Sequence, residues 1–278
     1  MRIAYLGPPD TFTHMAALSR FGQRADYLPS QSLDEVFRHV ETGACDYGVV
    51  PVENSIEGAV THTLDLFRQT PVVICGEILL PVHHYLVAQR KSSRITTIFS
   101  HPQAFGQCRQ WLERHLPEAF RWETSSTTEA VTCLTRRTVD VPTTQRAAIT
   151  TGAAVKRHHL HVIAASIEDH RHNTTRFLVI GRDPQRASGR RQKTSVLFAL
   201  KDRPGALHDA LVPFKRQRIN LTKIESRPSK QKAWAYYFFI DLEGHESEPR
   251  VARAVKGLSR HANFLKVLGS YPVEQGKR

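Results

Sequence analysis

The stretch Asn173-Thr174-Thr175-Arg176-Phe177 stands directly before the apolar run Leu178-Val179-Ile180. A short apolar run is typical of a buried strand, so the polar residues would lie at the entrance of that strand. An Arg side chain can hold a carboxylate through two parallel hydrogen bonds, and a Thr hydroxyl can donate a hydrogen bond to a departing oxygen. On its own, a Thr-Arg pair before a strand is more typical of a turn with a surface charge, so its interpretation depends on the rest of the chain.

The length and composition are those of a globular protein with room for one large domain or two modest ones. The chain has 278 residues, of which 40% are hydrophobic and 23% are charged. It contains neither an apolar run long enough to cross a membrane nor a signal-peptide pattern, so we expect a cytoplasmic protein with no membrane partner. The cysteines lack CxxC or metal-site spacing, which predicts free thiols at Cys45, Cys75, Cys108 and Cys133.

The chain is basic, with 39 Lys and Arg against 26 Asp and Glu and a net charge of +13. Such a field attracts nucleic-acid phosphates, and it can equally draw small anionic substrates to a cleft. The charges are spread along the chain, and no helix-turn-helix, zinc finger or aromatic RNA-binding motif accompanies them. The fifteen histidines, including the pair His83-His84, lack metal-site spacing and are more typical of surface or packing positions.

Strand and helix patterns alternate through the first two thirds of the chain, which favours an α/β fold with mainly parallel sheets. Strands at residues 71–80 and 85–88 would carry the chain into a second lobe, and residues 147–155 suit a helix. The strand that follows Thr175 would return the chain to the first lobe. We therefore expect two lobes with a cleft between them.

Polar residues gather where predicted strands end. The turn Gly7-Pro8-Pro9-Asp10 follows the first strand, and Thr11 or Thr13 could cap the helix after it. A strand, a tight turn and a helix N-terminus form a natural anion site. Two later strands end in Glu53-Asn54-Ser55 and in Ser100-His101, at the edge where open α/β sheets bind ligands.

The end of the chain forms a separate unit. Residues 181–193 are rich in Gly, Pro, Ser and charge, which is more typical of a linker than of a nucleic-acid-binding arm. Beyond them the patterns follow the order β-α-β-β-α-β of ferredoxin-like modules, with a long aromatic strand at residues 233–242. Modules of this kind often pair with one another, so we expect dimerisation.

Motifs along the whole chain form an ordered set at sensible spacing. They are Leu6-Gly7-Pro8, Thr11-Phe12-Thr13-His14, the run at residues 46–58, Ser100-His101-Pro102-Gln103-Ala104, Gln107-Cys108, Asn173-Thr174-Thr175-Arg176-Phe177, Arg203-Pro204-Gly205-Ala206-Leu207, Ile219-Asn220-Leu221, Glu225-Ser226-Arg227-Pro228 and the run at residues 241–245. Together they resemble the bacterial, monofunctional prephenate dehydratases that carry a C-terminal ACT regulatory domain. Each motif is weak alone, but the ordered set is specific.

The resemblance implies a fold and a reaction. The fold would be α/β: a two-lobed, periplasmic-binding-protein-like catalytic region at residues 1–181, a linker at 182–193, and a ferredoxin-like βαββαβ ACT domain at 194–273. Lobe 1 would comprise about residues 1–80 and 168–181, and lobe 2 about residues 81–167. Prephenate would lose carbon dioxide and its ring hydroxyl to give phenylpyruvate for phenylalanine synthesis, with no metal or organic cofactor.

By matching motifs, the resemblance also implies a site. Thr175 would donate a hydrogen bond to the leaving hydroxyl, while Arg176 would either pair with a substrate carboxylate or hold its loop. The catalytic set would be completed by Asn54, Ser100 and Gln107, and the substrate-binding residues would be Glu53, Ser55, Thr11, Asn173 and Phe177. Among these, Ser55 and Thr11 are as typical of helix caps as of ligands, and His101 is interpreted as structural.

In the C-terminal unit the resemblance implies an allosteric site for L-phenylalanine. Its residues would be Gly205, Ala206, Leu207, Asn220, Leu221, Glu225, Ser226, Arg227 and Pro228. A helix start after Gly205 would meet the effector's carboxylate. The ACT unit could instead be a purely structural dimerisation module, and the assembly would be a homodimer or homotetramer.

The chain departs from the family at Asp10, where Gly is usual. Asp can adopt the left-handed conformation at some cost, and it adds negative charge near an anion site, so we expect Asp10 to lower substrate affinity. Three other functions stay open: an arogenate dehydratase, a non-catalytic amino-acid-binding sensor on the same fold, and a nucleic-acid-binding protein. The joint presence of Thr175, Arg176, Asn54 and Ser100 argues against a sensor, since a sensor need not keep a donor for a leaving group.

Overall fold

The computed structural model describes residues 1–91, 94–136, 140–187, 191–229 and 235–274. The first segment contains β1 (Arg2–Leu6), α1 (Phe12–Phe21), β2 (Asp26–Ser30), α2 (Leu33–Glu41), β3 (Tyr47–Asn54), β4 (Gly58–Ala59), α3 (Thr61–Leu66) and β5 (Val73–Pro81). It is followed by β6 (Tyr85–Ala88), β7 (Thr97–Ser100), α4 (Pro102–Gln107), α5 (Arg109–His115), β8 (Phe120–Glu123), α6 (Thr127–Cys133), β9 (Arg146–Thr150), α7 (Gly152–Arg157) and β10 (His161–Ala165). The chain ends with β11 (Thr174–Gly181), β12 (Gln192–Leu200), α8 (Ala206–Arg216), β13 (Leu221–Pro228), β14 (Tyr236–Glu243), α9 (Pro249–Ser259) and β15 (Ala262–Pro272).

Lobe 1 is built on a sheet in the order β2-β1-β3-β11-β5, with β4 paired to the end of β3. Helix α2 shows how the sequence covers this sheet. Ser32 caps its N-terminus by accepting a hydrogen bond from the backbone N–H of Glu35. Val36, Phe37 and Val40 lie on one face at helical spacing, and all three are buried against β3 and β11.

Lobe 2 is a second sheet in the order β10-β6-β9-β7-β8. The chain enters it after β5 and returns to lobe 1 through β11, which pairs antiparallel with both β3 and β5. The two-lobed α/β fold is confirmed, but the expectation of mainly parallel sheets is wrong. Strands β1, β2 and β3 run parallel to one another, and so do β7, β8 and β9. The strands next to the crossings between the lobes form antiparallel pairs, as β6 does with β9 and β10.

The predicted helix at residues 147–155 is also wrong. Strand β9 occupies Arg146–Thr150 in the centre of the second sheet, and only the residues from Gly152 to Arg157 are helical. Every residue of β9 is buried, so its apolar run has no exposed face that would reveal a period of two. A continuous apolar run is compatible with a buried helix or a buried strand, and sheet pairing decides between them here.

The C-terminal unit has the predicted order β-α-β-β-α-β, in a sheet arranged β13-β14-β12-β15. Helices α8 and α9 cover one face, and the other face packs against lobe 1 through apolar residues such as Leu197, Phe239 and Leu268. The first strand begins at Gln192, and the aromatic strand begins at Tyr236. Residues 188–190 of the expected linker and residues 233–234 of the expected strand lie outside the described residues.

A buried cluster of charges joins the C-terminal unit to lobe 1, and we call it the interdomain network. From lobe 1 it contains Arg176, Glu53 and Glu77, and from the C-terminal unit Lys193, Lys223 and Asp241. Arg176 is its centre. The guanidinium donates to Glu77 Oε2 at 2.9 Å, to Asp241 Oδ2 at 2.6 Å and to the Tyr271 hydroxyl at 2.9 Å.

The charges in the interdomain network balance, three positive against three negative. Lys193 reaches Glu77 at 3.0 Å, and Lys223 reaches Glu53 at 2.8 Å. Burial lowers the pKa of Arg176, but the neighbouring Tyr271, Asp241 and Glu77 outweigh that effect and raise it. Arg176 is therefore charged at any physiological pH, and its charge is satisfied jointly by the two units.

The four cysteines are free thiols, as predicted, and all four are buried. No helix in the described part of the chain is long and apolar enough to cross a membrane.

Candidate active site

A cavity of about 320 Å³ lies between the two lobes. Its lining is mostly neutral, combining hydroxyl and amide groups with aliphatic and aromatic side chains. Lobe 1 contributes Leu6, Thr11, Phe12, Thr13, Pro51, Asn54, Val60, Thr175 and Phe177, while the crossing segment and lobe 2 contribute Val82, His84, His101, Gln103, Ala104, Gln107, Ser125, Ser126 and Thr127. A site divided between two lobes can enclose a small molecule and exclude water from it.

Three helices begin at the wall of this cavity. Thr11 caps α1, His101 caps α4 and Ser126 caps α6, each by accepting a hydrogen bond from a backbone N–H in the first turn. The first N–H groups of α1 and α6 carry partial positive charge, which favours bound anions. Helix α4 adds no such group, because Pro102 lacks an N–H and those of the next three residues bond to His101. The cavity wall therefore has a positive character without a formal charge.

Thr175 and Asn54 lie opposite each other on β11 and β3 and form the polar centre of the lobe 1 wall. The Asn54 side chain is held by four hydrogen bonds. Its Oδ1 accepts from the backbone N–H groups of Ile56 and Glu57, at 2.9 and 3.1 Å. Its Nδ2 donates to Asn173 Oδ1 at 2.7 Å and to Thr175 Oγ1 at 2.9 Å. Because Thr175 Oγ1 accepts this bond, its own proton is available to another acceptor.

Gln107 joins the two lobes at the edge of the cavity. Its Nε2 donates to Glu57 Oε1 of lobe 1 at 2.7 Å, and its Oε1 lies 2.7 Å from His84 Nε2. Gln103 donates to the other oxygen of the same Glu57 carboxylate. These bonds fix the orientation of the Gln107 amide and hold α4 against the turn after β3.

Asp10 also joins the lobes, and it takes the left-handed conformation that the sequence required, with φ 67°. Its backbone carbonyl accepts from Thr151 Oγ1 at 2.7 Å, and both carboxylate oxygens lie 3.2 Å from Arg157 Nη1. Asp10 is not among the residues that line the cavity, and it is 6% exposed. Its charge is therefore partly neutralised by Arg157 rather than directed at the site.

The structure divides the residues predicted for the site into two groups. Thr175, Asn54, Gln107, Thr11 and Phe177 line the cavity, and so does His101, which was interpreted as structural and does cap a helix. The second group lies elsewhere and contains Arg176, Glu53, Ser100, Asn173 and Ser55.

Strand geometry explains the positions of Arg176 and Glu53. Successive side chains of a strand point to opposite faces, so Thr175 faces the cavity while Arg176 faces the C-terminal unit. Glu53 is paired with Arg176 across the ladder and lies on the same face. The structure therefore favours the second of the two predicted roles of Arg176, that of holding its strand.

The other three predicted residues are used within the protein. Ser100 is fully buried, and its hydroxyl donates to the Ile149 carbonyl at 3.0 Å. Asn173 accepts the amide proton of Asn54, as described above. Ser55 Oγ accepts from the Thr174 backbone N–H at 2.9 Å. Ser100 and Ser55 bond to the backbone near the cavity, and Asn173 bonds to the Asn54 side chain. None of the three is among the residues that line the cavity.

Several lining residues were not predicted, chiefly His84, Gln103, Phe12 and the segment at residues 125–127. The cap Ser126 was visible as a helix start, and its place at the cavity follows from the sheet order. His84 carried no local signal, because its burial and its bond to Gln107 depend on contacts between distant parts of the chain.

The predicted effector residues fall in two places. Gly205 begins α8 with φ 75°, a left-handed conformation suited to glycine, and Ala206 and Leu207 line a cavity of about 550 Å³. Arg227 and Pro228 line a different cavity of about 440 Å³ between the C-terminal unit and lobe 1, where Arg227 pairs with Asp65 at 3.3 Å. Asn220, Leu221, Glu225 and Ser226 line neither cavity.

The fold and the site define a class of protein: a two-lobed α/β unit that encloses a small molecule and is coupled to a βαββαβ module. The family model described as prephenate dehydratase matches residues 3–185, and the one described as ACT domain matches residues 194–260. The chain belongs to the prephenate dehydratase family and carries a C-terminal ACT domain, which confirms the resemblance found in the sequence.

Individual relatives agree with this assignment. The bifunctional chorismate mutase/prephenate dehydratase of Aquifex aeolicus is 48% identical over 273 residues, covering 98% of this chain and 74% of that protein. The prephenate dehydratase of Amycolatopsis methanolica is 37% identical over 279 residues, covering 99% of this chain and 90% of that protein. The crystal structure of prephenate dehydratase in complex with L-Phe from Arthrobacter aurescens has a TM-score of 0.89 at 35% identity, covering 98% of this chain and 90% of that one.

The Asp10–Arg157 pair makes a prediction about substrate affinity. Replacing Arg157 with Gln removes a permanent positive charge from beside Asp10, near the first turn of α1, so we expect KM for an anionic substrate to rise by roughly fivefold. The substitution Asp10→Asn keeps a residue that tolerates the left-handed conformation and should leave KM within about twofold of the wild type. Steady-state kinetics of both variants would measure these effects.

The double variant Asp10→Asn with Arg157→Gln serves as the control, because it removes both charges and should restore the wild-type KM. A fall in KM in Asp10→Asn alone would show that Asp10 repels the substrate despite Arg157, as the sequence suggested. An unchanged KM in Arg157→Gln would contradict the shielding role.

Proposed function

We propose that this chain converts prephenate to phenylpyruvate in L-phenylalanine biosynthesis and that L-phenylalanine inhibits it through the ACT domain. The observation that carries the catalytic part is the hydrogen bond from Asn54 Nδ2 to Thr175 Oγ1, which orients a hydroxyl donor in the cavity between the lobes. Membership of the prephenate dehydratase family supports the choice of substrate.

The reaction requires no covalent bond between the protein and the substrate. The bond between the ring and its carboxylate breaks, carbon dioxide leaves, and the electron pair moves into the ring and expels hydroxide from the opposite ring carbon. The prephenate dianion thus becomes phenylpyruvate, carbon dioxide and hydroxide, with atoms and charge balanced. Because the ring becomes aromatic, the enzyme has to position the substrate and stabilise the departing oxygen.

Thr175 is the donor in this scheme. One lone pair of its oxygen accepts from the Asn54 amide, and the hydroxyl proton can be donated to the substrate's leaving oxygen. A Thr hydroxyl is a weak Brønsted acid, and its contribution is therefore a hydrogen bond that strengthens as negative charge develops on that oxygen. Asn54 acts as a positioning residue, held in turn by Asn173 and the backbone.

The carboxylates of prephenate would be bound by dipoles and N–H groups rather than by cations. Lys and Arg are absent from the described residues that line the cavity. The ten-residue helix α1, which Thr11 caps, begins on its wall and directs its first N–H groups there. The net charge of +13 would attract the dianion to the protein over a longer range.

For the effector, we propose a site that needs two chains. Within one chain the segment at residues 205–207 and the segment at residues 225–228 do not share a cavity. A homodimer or homotetramer that brings the first segment of one protomer to the second segment of another would unite them. The L-Phe complex of the Arthrobacter aurescens enzyme supports phenylalanine as the ligand.

The test of the function is phenylpyruvate formation from prephenate by the purified protein, with and without L-phenylalanine. We expect turnover on the order of 1–100 per second, suppressed by L-phenylalanine. Turnover without suppression would contradict the effector site alone. If the protein converts arogenate but not prephenate, arogenate is its substrate. If it converts neither, the catalytic proposal is wrong and the chain is a binding protein.

The role of Thr175 makes a separate prediction. Substituting Thr175→Ala removes a donor that acts mainly in the transition state, so kcat should fall by about 100-fold while KM changes little. The matched variant Thr175→Ser keeps the hydroxyl and should retain most of the activity. If Thr175→Ala raises KM and leaves kcat unchanged, Thr175 binds the substrate and its transition state equally, and the proposed role is wrong.

A further inference from the structure

His84 is a buried polar residue of the cavity that has no role in the reaction as proposed so far. It lies where the chain crosses from lobe 1 to lobe 2, between β5 and β6, and is only 2% exposed. It lines the same cavity as Thr175, and the edge of its ring contacts Phe12 with centroids 5.6 Å apart. Its position is fixed by the protein before any ligand binds.

A chain of hydrogen bonds determines which nitrogen of His84 carries the proton. Glu57 can only accept, so the Gln107 amide presents its NH₂ to Glu57 and its oxygen to His84. His84 Nε2 must therefore donate to Gln107 Oε1. In the neutral ring the other nitrogen, Nδ1, then holds a lone pair.

Within the part of the chain that the structure describes, no group donates a hydrogen bond to that lone pair. His84 Nδ1 is buried and has no hydrogen-bond partner there. Buried polar atoms are nearly always paired, because leaving one unpaired costs free energy. His84 is one of the residues that line the cavity, so an unpaired acceptor on its ring points to the substrate as the source of the missing donor.

The ring is neutral near pH 7. Burial lowers the pKa of His84 and so does the neighbouring His83, whereas the bond to Gln107 and the carboxylates of Glu168 and Glu57 act in the opposite direction. Glu168 accepts from the His84 backbone N–H at 2.9 Å and pairs with His83 at 2.8 Å, so its charge is already engaged.

We propose that His84 is a second contact to the leaving hydroxyl of the substrate: its Nδ1 accepts a hydrogen bond from the hydroxyl proton while Thr175 donates to the hydroxyl oxygen. This inference rests on the proposed function. The prephenate dianion has one O–H group and no other hydrogen-bond donor, so that group alone matches a lone pair on the wall. The two residues together would fix both the position and the rotation of the hydroxyl.

The two contacts differ in when they act. The bond from Thr175 strengthens as the oxygen becomes negative, whereas the bond to His84 is made in both states, because the hydroxide leaves with its proton. A contact made in both states affects KM and leaves kcat unchanged, so His84 affects KM and Thr175 affects kcat.

Two substitutions separate the two nitrogens of His84. The variant His84→Gln places an amide where Nε2 lies and can keep the bond to Gln107, but it loses the acceptor at Nδ1. The variant His84→Asn places an amide oxygen near Nδ1 and loses the bond to Gln107. With prephenate as substrate, we expect His84→Gln to raise KM about fivefold, the equivalent of one neutral hydrogen bond, with kcat within about twofold. His84→Asn should keep KM closer to the wild-type value.

The pH dependence of kcat/KM provides a second readout of the His84 contact. Protonation converts Nδ1 from an acceptor to a donor, so kcat/KM should fall as pH decreases through the His84 pKa, below the ordinary histidine value of about 6.5. This decline, measured against a blank without enzyme, should be absent in His84→Gln. A decline as pH rises would instead identify His84 as a proton donor and overturn the proposal.

Calorimetric titration of prephenate into the same preparations separates this inference from the proposed function. Weaker binding to His84→Gln than to the wild type supports the contact. Wild-type turnover with equal binding and equal KM in His84→Gln overturns the role of His84 and leaves the function intact. If the wild type neither binds nor converts prephenate, both proposals are wrong.

Discussion

The pairing of Arg176 is the constraint on which the rest of the structure depends. A guanidinium buried in a sheet has to be matched by carboxylates, and here lobe 1 supplies Glu77 while the ACT domain supplies Asp241. Breaking such a pair by removing one partner typically costs about 3–5 kcal/mol. Since Arg176 follows Thr175 on β11, the same strand presents its hydroxyl to the cavity and its charge to the ACT domain.

The cavity depends on a second set of contacts, those between the lobes. Gln107 and Gln103 hold Glu57 on one side, and Thr151 and Arg157 hold Asp10 on the other. These contacts bring helix starts from both lobes to one wall without placing a cation there. A neutral, polar wall suits a reaction that releases hydroxide, because a fixed positive charge would bind the ground-state carboxylates as strongly as the transition state.

The sequence predicted most elements of the fold, and five of the ten predicted site residues line the cavity. Asn54 was expected at the end of one strand and Thr175 at the entrance of another, and the pairing of β3 with β11 places them opposite each other. Strand β9 was mistaken for a helix because its buried run shows no alternation. The sequence did not show which side of the sheet the Arg176 side chain lies on, because that depends on its distant partner Asp241. It did not identify His84 as a residue of the cavity, because Gln107 and Glu57, which set its tautomer, are distant in the chain.

The central claim is that the ACT domain holds β11 through Arg176. Hydrogen–deuterium exchange of the segment at residues 173–181 in the variant Asp241→Asn tests it most directly. Its control is Glu243→Gln on the same strand, which removes a carboxylate whose pair with Arg191 is at the surface. If Arg176 fixes β11 through Asp241, exchange should be at least about tenfold faster in Asp241→Asn, corresponding to about 1.4 kcal/mol, and unchanged in Glu243→Gln. Equal exchange in the two variants would contradict it.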